Sequence, residues 1–215
     1  EIKMLTRHFS ACLIALLSVA GQAFADEAIH QTTGPAKGTL LIAGGGGGDA
    51  EASQAIYSRF VELAGGQDAR IVVVSTAASS KPDYDYFRDR FARLLKERYG
   101  ARHVTIVHTP DRKEADMEAF IQPIVQATGV WFGGGRQWRL TKAYRGTLTE
   151  KAFHAVLERG GVIGGSSAGA TIQGSFLARG DSKTNRIMVG DYQHGFGFLK
   201  NAAIDQHIVP RKRQL

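Results

Sequence analysis

Short apolar runs and amphipathic segments alternate along most of the chain. The apolar runs lie at residues 38–43, 69–76, 103–108, 128–133 and 161–165. Continuous apolar runs of this length are typical of strands that are buried on both faces of a sheet. The segments between them carry apolar side chains at helical spacing and lie at residues 50–65, 83–99, 112–127, 137–144 and 150–159. We therefore expect strands and helices to alternate, with Pro123 breaking or kinking the third helix.

The chain beyond residue 165 has a less regular pattern. It predicts a helix at 168–177, an irregular glycine-containing stretch at 178–199 and a short strand at 202–208. The alternation as a whole predicts an α/β fold, with a mostly parallel sheet and helices on both of its faces. In such folds, ligands bind at the carboxyl ends of the strands.

Three glycine clusters lie where predicted strands end, at residues 44–48, 133–135 and 164–165. Because these ends meet at one edge of the sheet, the clusters predict a single active site there. The first cluster does not match a dinucleotide-binding fingerprint, since Asp49 and Ala50 stand where glycine would be needed. It also lacks the Gly-Lys-Ser/Thr of a phosphate loop. We interpret it as a place of close backbone packing beside the site.

Residues 165–169 read Gly-Ser-Ser-Ala-Gly and match the G-x-S-x-G pattern of a nucleophile elbow. In this turn the chain passes sharply from strand to helix, so the neighbouring residues must be small and the central serine has a strained backbone. The central serine is Ser167. A small-residue turn without chemistry is the alternative, but the preceding strand, the following helix and a later candidate base favour a nucleophile.

Backbone N–H groups close to this serine can stabilise a developing oxyanion. We expect them to come from Gly134 or Gly135 and from Ala168. Gln137, which directly follows the second glycine cluster, can hydrogen-bond substrate. The alternative is that the second cluster only ends a strand.

A catalytic serine needs a base. The mature chain has histidines at positions 30, 103, 108, 154, 194 and 207. His207 is favoured because it ends the last predicted strand, whereas His108 and His194 are weaker alternatives. Within a strand, Asp205 and His207 would point to the same face. Asp205 would then either orient the imidazole or hold a cationic group of the substrate, and spacing alone does not decide between the two.

The N-terminus has the pattern of an export signal over residues 1–25. A basic start precedes an apolar segment, and Ala23-Phe24-Ala25 forms a cleavage site. Residues 26–37 are interpreted as a linker or tail, and residues 38–215 as one α/β serine hydrolase domain. The single cysteine, Cys12, lies in the signal, so the mature chain has no thiol nucleophile. We expect a secreted or periplasmic protein without membrane attachment after the signal is cleaved.

The composition agrees with a globular protein, since 43% of the residues are hydrophobic and 22% are charged. The formal net charge is +7, but the basic residues are scattered among acidic ones. We therefore expect a solvated surface and no nucleic-acid partner. The exception to this scatter is the run Arg211-Lys212-Arg213.

Three motifs together resemble the cyanophycinases, within the serine peptidases that also include peptidase E. The motifs are GGSSAGA at 164–170, FGGGRQ at 132–137, and DQH at 205–207 with Arg211 and Arg213 after it. They occur in the family's order, and the resemblance covers about residues 38–215. It implies a fold like that of class I glutamine amidotransferases. It also implies a catalytic pair of Ser167 and His207, acyl-enzyme chemistry, and neither metal nor cofactor.

The resemblance further implies a substrate. Cyanophycin is an aspartate-backbone polymer that carries arginine on each β-carboxyl group, and the product would be the β-Asp-Arg dipeptide. The family's substrate-binding positions correspond here to Gln137, Asp205, Gln206, Arg211 and Arg213. The chemistry is reasonable, because a carboxylate can pair with a substrate guanidinium and arginines can pair with substrate carboxylates. Alternatively the arginines form a solvated tail. The architecture also allows a homodimer.

One part of the family's pattern is missing from the printed sequence. The third catalytic residue of the family is a glutamate C-terminal to the DQH motif, and the sequence ends at Leu215 before one occurs. We therefore expect a truncated sequence with some apolar core surface exposed. Two alternatives to cyanophycin hydrolysis stay open. One is an aspartyl or isoaspartyl dipeptidase of the peptidase E type, and the other is a catalytically silent binding protein on the same scaffold.

Overall fold

A five-stranded sheet in which all strands are parallel lies at the centre of the fold. The structure, a computed structural model, describes residues 33–45, 51–78, 84–184 and 186–213. The strands are β1 Thr39–Ala43, β2 Arg70–Val74, β3 His103–Val107, β4 Gly129–Phe132 and β5 Val162–Ser166, in the order β1-β5-β4-β2-β3. The predicted export signal, the linker up to residue 32 and the glycines at 46–48 lie outside the described residues.

Helices connect the strands and cover both faces of the sheet. They are α1 Glu51–Leu63, α2 Ala92–Glu97, α3 Arg112–Ala115, α4 Glu118–Val125, α5 Gln137–Tyr144, α6 Leu148–Glu158 and α7 Ala168–Thr171. A 3₁₀ turn at Gly66–Asp68 precedes β2, and a π-helical turn at Tyr86–Phe91 leads into α2. A second sheet pairs β6 Gly174–Phe176 in parallel with β7 Leu199–Ala203. Within the described ranges, no helix has the length and apolar character needed to cross a membrane.

Side chains of the central strands alternate between two hydrophobic cores. Val130 and Phe132 of β4 belong to one core, together with Phe153 of α6. Trp131, between them, belongs to the other core, together with Phe60 of α1. Because both faces of the sheet are covered by apolar side chains, the strands are continuous apolar runs in the sequence. The predicted α/β fold with helices on both faces is confirmed.

The predicted helix at 112–127 is in fact two helices, and Pro123 does not break it. The break falls at Asp116 and Met117, between α3 and α4. The Asp116 carboxylate accepts the N–H of Leu148 at 2.8 Å, at the start of α6. Pro123 lies inside α4, which ends at Val125, so the missing N–H removes at most one hydrogen bond from this short helix. A tertiary contact that the local pattern does not encode therefore ends the first helix.

The predicted helix at 168–177 is also wrong, because α7 ends at Thr171 after one turn. The backbone carbonyls of Ile172, Gln173 and Gly174 accept N–H groups from residues 196, 199 and 197, respectively. These carbonyls therefore bond across the chain rather than along a helix. The chain continues as β6 alongside β7, and glycine at position 174 adds to this preference because it disfavours helix.

The strand predicted at 202–208 lies earlier in the chain, as β7, and ends at Ala203. Asp205 and His207 are consequently not on a strand, and the argument that they share one face is wrong. His207 has a positive φ of 55°, which no regular strand contains. The segment between the two residues is instead shaped by side-chain contacts, described below.

The close packing of Gly164 in β5 gives a test of the fold. A Cβ at this position would lie 2.6 Å from Trp131 Cε3 and 2.8 Å from Phe60 Cδ2, both in a filled core. We expect Gly164→Ala to lower the free energy of unfolding by about 1–3 kcal/mol, measured by urea denaturation. Gly34→Ala is the control, because nothing lies within 4 Å of the added methyl. An unchanged midpoint for Gly164→Ala would contradict this packing.

Candidate active site

Ser167 occupies a strained turn between β5 and α7. Its backbone has φ 55° and ψ −116°, a combination that non-glycine residues rarely adopt. Hydrogen bonds on both sides hold it there. The Ser167 N–H donates to the carbonyl of Ala43 at 3.1 Å, and the Ser167 carbonyl accepts the N–H groups of Ala170 and Thr171. The strained backbone expected of a nucleophile elbow is therefore present.

Two glycines allow the backbones around this turn to approach each other. A Cβ at Gly165 would collide with the backbone of Gly169, and a Cβ at Gly169 would collide with the carbonyl of Phe132 in β4. Both contacts are with backbone atoms, which cannot rotate away. The G-x-S-x-G spacing is thus a steric requirement for packing β5, α7 and β4 together at this point.

His207 lies beside Ser167, although the two are far apart in sequence. His207 Nε2 is 2.9 Å from Ser167 Oγ, and the pair is partly buried. The His207 backbone N–H donates to the carbonyl of Gly44 at 2.7 Å. The imidazole packs against Gly45, where any Cβ would collide with the ring. The described part of the first glycine cluster therefore makes room for the histidine, as close backbone packing predicts.

The second glycine cluster lies on another side of Ser167. A Cβ placed on Gly134 would be 3.5 Å from the Cβ of Ser167. Gly135 has a positive φ of 139° and is pressed against the carbonyl of Ala77. Ala168 follows the serine directly as the first residue of α7. Gly134 and Ala168 are therefore next to Ser167, whereas Gly135 faces Ala77, and the oxyanion role of all three stays a prediction.

Asp205 is not hydrogen-bonded to the imidazole, although orienting it was one of the two roles left open by the sequence. Its carboxylate accepts from Arg179, with Nε to Oδ1 at 2.8 Å and Nη2 to Oδ2 at 2.8 Å. Arg179 Nε is also 3.1 Å from Oδ2, and Arg213 Nη1 adds a contact to Oδ1 at 3.3 Å. The two ion pairs are partly buried, with side-chain exposures of 11% for Arg179, 17% for Asp205 and 10% for Arg213. Asp205 is thus bound by the chain's own guanidinium groups.

These contacts determine the ionisation of Asp205. Burial on its own raises the pKa of a carboxyl group, but here other interactions outweigh it. The hydrogen bonds from Arg179 and from the Gln206 N–H, with the charges of Arg179 and Arg213, hold the pKa of Asp205 below its ordinary value. The carboxylate is therefore ionised at neutral pH and fastens the segment that leads to His207.

Arg179 is a site residue that the sequence did not reveal. It lies in the irregular stretch after β6, has a positive φ of 54° and belongs to no motif. Gln137, predicted to bind substrate, supports this stretch instead. The Gln137 side chain is fully buried, and its Nε2 donates to the carbonyls of Ala178 and Arg179 at 2.9 and 2.8 Å. In this conformation the Gln137 side chain holds the backbone of Arg179. A substrate could contact Gln137 only if the residues that bury this side chain moved apart.

Gln206, Arg211 and Arg213 all lie close to the Ser–His pair. Gln206 is buried, and its Oε1 is 3.4 Å from Ser167 Oγ. Arg213 also donates to the Gln206 carbonyl at 2.7 Å, while Arg211 is exposed. Burial, followed by the charges of Arg211 and Arg213, lowers the pKa of His207. A cleft of about 350 Å³ opens next to His207, with Gly45 and Asp205 in its wall.

The rival histidines have other partners. His108 Nδ1 lies 3.2 Å from Ser75 Oγ, at the ends of β3 and β2. His194 forms an isolated bridge to Phe176, and His154 Nε2 contacts the Phe196 carbonyl at 3.0 Å. Among the described residues, His207 is the histidine that is hydrogen-bonded to Ser167.

The fold and this site together define an α/β protein with a serine elbow and a partnered histidine. The sequence profile of peptidase family S51 matches residues 39–214. The chain belongs to peptidase family S51, which confirms the resemblance found from the motifs.

Individual relatives agree with the family. The chain is 36% identical to a cyanophycinase of Synechococcus elongatus over 194 residues, which are 86% of this chain and 56% of the relative. It is 30% identical to a cyanophycinase of Geminocystis herdmanii over 173 residues, covering 79% of this chain and 62% of the relative. The chain thus spans little more than half the length of these relatives.

Solved structures support the fold. A peptidase from an acI-B1 Actinobacterium superposes with a TM-score of 0.64 at 19% identity, covering 86% of this chain and 73% of that one. A peptidase E-like protein from Listeria monocytogenes superposes with a TM-score of 0.52 at 15% identity, covering 82% and 84%. At these identities the likeness concerns the fold alone.

The pairing of Arg179 with Asp205 gives a testable consequence. Arg179→Ala leaves the partly buried Asp205 paired with Arg213 alone. We expect the free energy of unfolding to fall by about 1.5–3 kcal/mol, the usual value for hydrogen bonds to a charged group, measured by urea denaturation at pH 7. The matched control is Arg145→Ala, at an exposed arginine, which should change it by less than about 0.5 kcal/mol. Equal effects from the two substitutions would contradict the role assigned to the pair.

Proposed function

We propose that the protein is a serine peptidase that hydrolyses cyanophycin and releases β-Asp-Arg dipeptides through an acyl-enzyme. The observation that carries the proposal is the 2.9 Å contact between His207 Nε2 and Ser167 Oγ on a strained elbow. Membership of family S51 and similarity to named cyanophycinases support the reaction and the substrate.

The chemistry assigns one step to each residue. His207 Nε2 takes the proton from Ser167 Oγ as that oxygen attacks the carbonyl carbon of an aspartyl peptide bond. Backbone N–H groups of Gly134 or Gly135 and of Ala168 stabilise the oxyanion. As the C–N bond breaks, His207 returns the proton to the leaving amine. Water, deprotonated by His207, then hydrolyses the acyl-enzyme and regenerates Ser167.

The charged groups around the pair suit a zwitterionic substrate. Arg211 is exposed at the edge of the site and is available to pair with a substrate carboxylate. Asp205 and Arg213 are already paired with each other and with Arg179, so they shape the site through these contacts. A substrate guanidinium that binds Asp205 would have to compete with the two arginines. Export is a further part of the proposal and rests on the sequence pattern of residues 1–25.

Two alternatives have specific support. Similarity in fold to a peptidase E-like protein favours a dipeptidase, and comparing release from cyanophycin with release from Asp-containing dipeptides separates the two. A silent binding protein is favoured because, among the described residues, no carboxylate is hydrogen-bonded to His207. A fluorophosphonate probe distinguishes this case, since a silent site leaves Ser167 unlabelled.

The nucleophile assignment predicts the effect of removing one hydroxyl group. Ser167→Ala should lower kcat for dipeptide release by roughly 10⁴-fold or more, because no other group can form the acyl-enzyme. Ser166→Ala is the matched control, since it removes the neighbouring hydroxyl of the same motif, and we expect it to retain activity within roughly tenfold. Release would be followed by chromatography of the dipeptide. Equal activity of Ser167→Ala and the unsubstituted protein would refute the assignment.

The low pKa of His207 predicts a pH dependence. His207 acts as a base in its neutral form. A lowered pKa keeps the imidazole neutral down to a lower pH than usual. In a plot of kcat/KM against pH, the midpoint of the acid limb should therefore lie below pH 6.5, the ordinary pKa of a histidine being about 6.5.

Arg211→Gln removes one of the charges that lower this pKa, so we expect it to move the acid limb to higher pH. Lys212→Gln makes the same charge change one residue away and should leave the limb in place. If both variants move the limb equally, or neither moves it, the effect assigned to Arg211 is wrong.

A further inference from the structure

Gln206 places a buried amide next to the nucleophile. The residue is only 1% exposed, and its Oε1 lies 3.4 Å from Ser167 Oγ. The resemblance implied that Gln206 binds substrate, yet its Nε2 is shielded from solvent. A substrate in the cleft beside His207 therefore does not reach this N–H group while the side chain keeps its conformation. The hydrogen bond to Ser167 points instead to a role towards the nucleophile.

Contacts on both sides of the residue hold the backbone of Gln206. Its N–H donates to Asp205 Oδ1 at 2.8 Å, and its carbonyl accepts from Arg213 Nη1 at 2.7 Å. The next residue, His207, is fixed by its hydrogen bond to the carbonyl of Gly44. The terminal torsion of a glutamine side chain is soft, in contrast to these fixed contacts. The freedom left to Gln206 is therefore rotation of its terminal amide.

The amide and the imidazole compete for one proton. A serine hydroxyl has a single proton and two lone pairs. Ser167 Oγ lies 2.9 Å from His207 Nε2 and 3.4 Å from Gln206 Oε1, and both atoms can accept that proton when the imidazole is neutral. A proton directed at Gln206 Oε1 is not available to His207. This orientation of the amide opposes the proton transfer that the proposed reaction requires.

A half-turn of the amide removes the competition. The two ends of a glutamine amide have nearly the same shape, so the half-turn exchanges Oε1 and Nε2 within the same space. Nε2 then donates to one lone pair of Ser167 Oγ, and the serine proton is left for His207 Nε2. Among the described residues Nε2 has no partner before the half-turn, and afterwards it has one. Buried N–H groups without a partner are rarer than under-satisfied carbonyl oxygens, which favours the exchanged orientation.

We propose that Gln206 is a positioning residue that donates Nε2–H to Ser167 Oγ and thereby directs the serine proton to His207 Nε2. The proposal rests on the proposed function, because it takes Ser167 as the nucleophile and His207 as the base. The second lone pair of Oγ stays free to attack the carbonyl carbon. As the proton passes to His207, negative charge develops on Oγ, and the same N–H group stabilises it. Gln206 thus acts through the serine and needs no contact with substrate.

The orientation of the amide can be observed without any activity. Neutron diffraction from crystals of the perdeuterated protein locates the two deuterium atoms on Nε2 of Gln206. We expect these atoms on the end of the amide that faces Ser167 Oγ, and the serine deuterium on the line from Oγ to His207 Nε2. An amide oxygen that faces Ser167 Oγ would overturn the proposal.

The effect on the nucleophile is measured as a labelling rate. The probe is an ethyl fluorophosphonate with an alkyl alkyne tail, used at about pH 8, where His207 is neutral. It has neither guanidinium nor carboxylate, so the loss of a substrate contact would not slow it. Gln206→Met keeps the length of the side chain and removes the amide. We expect it to lower the rate constant of labelling by roughly tenfold, the effect of one hydrogen bond.

Turnover of cyanophycin gives a second readout of the same variant. A positioning role predicts that Gln206→Met lowers kcat by the same factor and leaves KM within about twofold. A lost substrate contact would instead raise KM. A raised KM with an unchanged labelling rate would therefore overturn the positioning role.

Gln173→Met is the matched control. Gln173 is as deeply buried, and its Nε2 donates to the carbonyl of Gly169 at 3.0 Å. This control should lower the free energy of unfolding, measured by urea denaturation, and change the labelling rate by less than about threefold. Equal slowing in the two variants would show a structural effect and contradict the proposal. If the unsubstituted protein is not labelled, the proposed function fails, while the deuterium positions still decide the orientation of the amide.

Discussion

The fit of three backbones at the end of β5 is the constraint on which the site depends. Gly165, Gly169 and the carbonyl of Phe132 are packed so closely that a single methyl group would separate them. This packing fixes the conformation of the turn and keeps Ser167 at a φ of 55°. Such a backbone conformation costs about 1–3 kcal/mol, and the residue would leave it in an open loop. The two cores on either face of the sheet hold β4 and β5 in the positions that the fit requires.

Charge is the second organising element, and it acts on the histidine indirectly. Arg179, Asp205 and Arg213 form a partly buried cluster with two positive groups and one negative group. The cluster anchors the segment between β7 and His207, which contains neither helix nor strand. It also leaves an excess of positive charge close to the imidazole. The lowered pKa of His207 comes first from burial of the imidazole, and the charges of Arg211, outside the cluster, and of Arg213, within it, add to that effect.

The sequence predicted the parts of the molecule whose cause is local. Continuous apolar runs identified the strands, and G-x-S-x-G identified the elbow because its steric requirement involves residues close in sequence. The errors have non-local causes. Asp116 ends a helix by bonding to Leu148, and residues 172–174 leave the helix to bond with residues 196–199. Arg179 was missed for the same reason, since its importance comes from Asp205, 26 residues later.

The edge strand β1 determines how local unfolding would disrupt the Ser–His pair. The carbonyl of Ala43 accepts the N–H of Ser167, and the next carbonyl, of Gly44, accepts the N–H of His207. In the described sheet β1 pairs with β5 alone, and Ile42 is 39% exposed. Edge elements with few buried contacts open first in local unfolding. Fraying of β1 would release both residues in one event, so the Ser–His pair should form and disappear as a single cooperative unit with this strand.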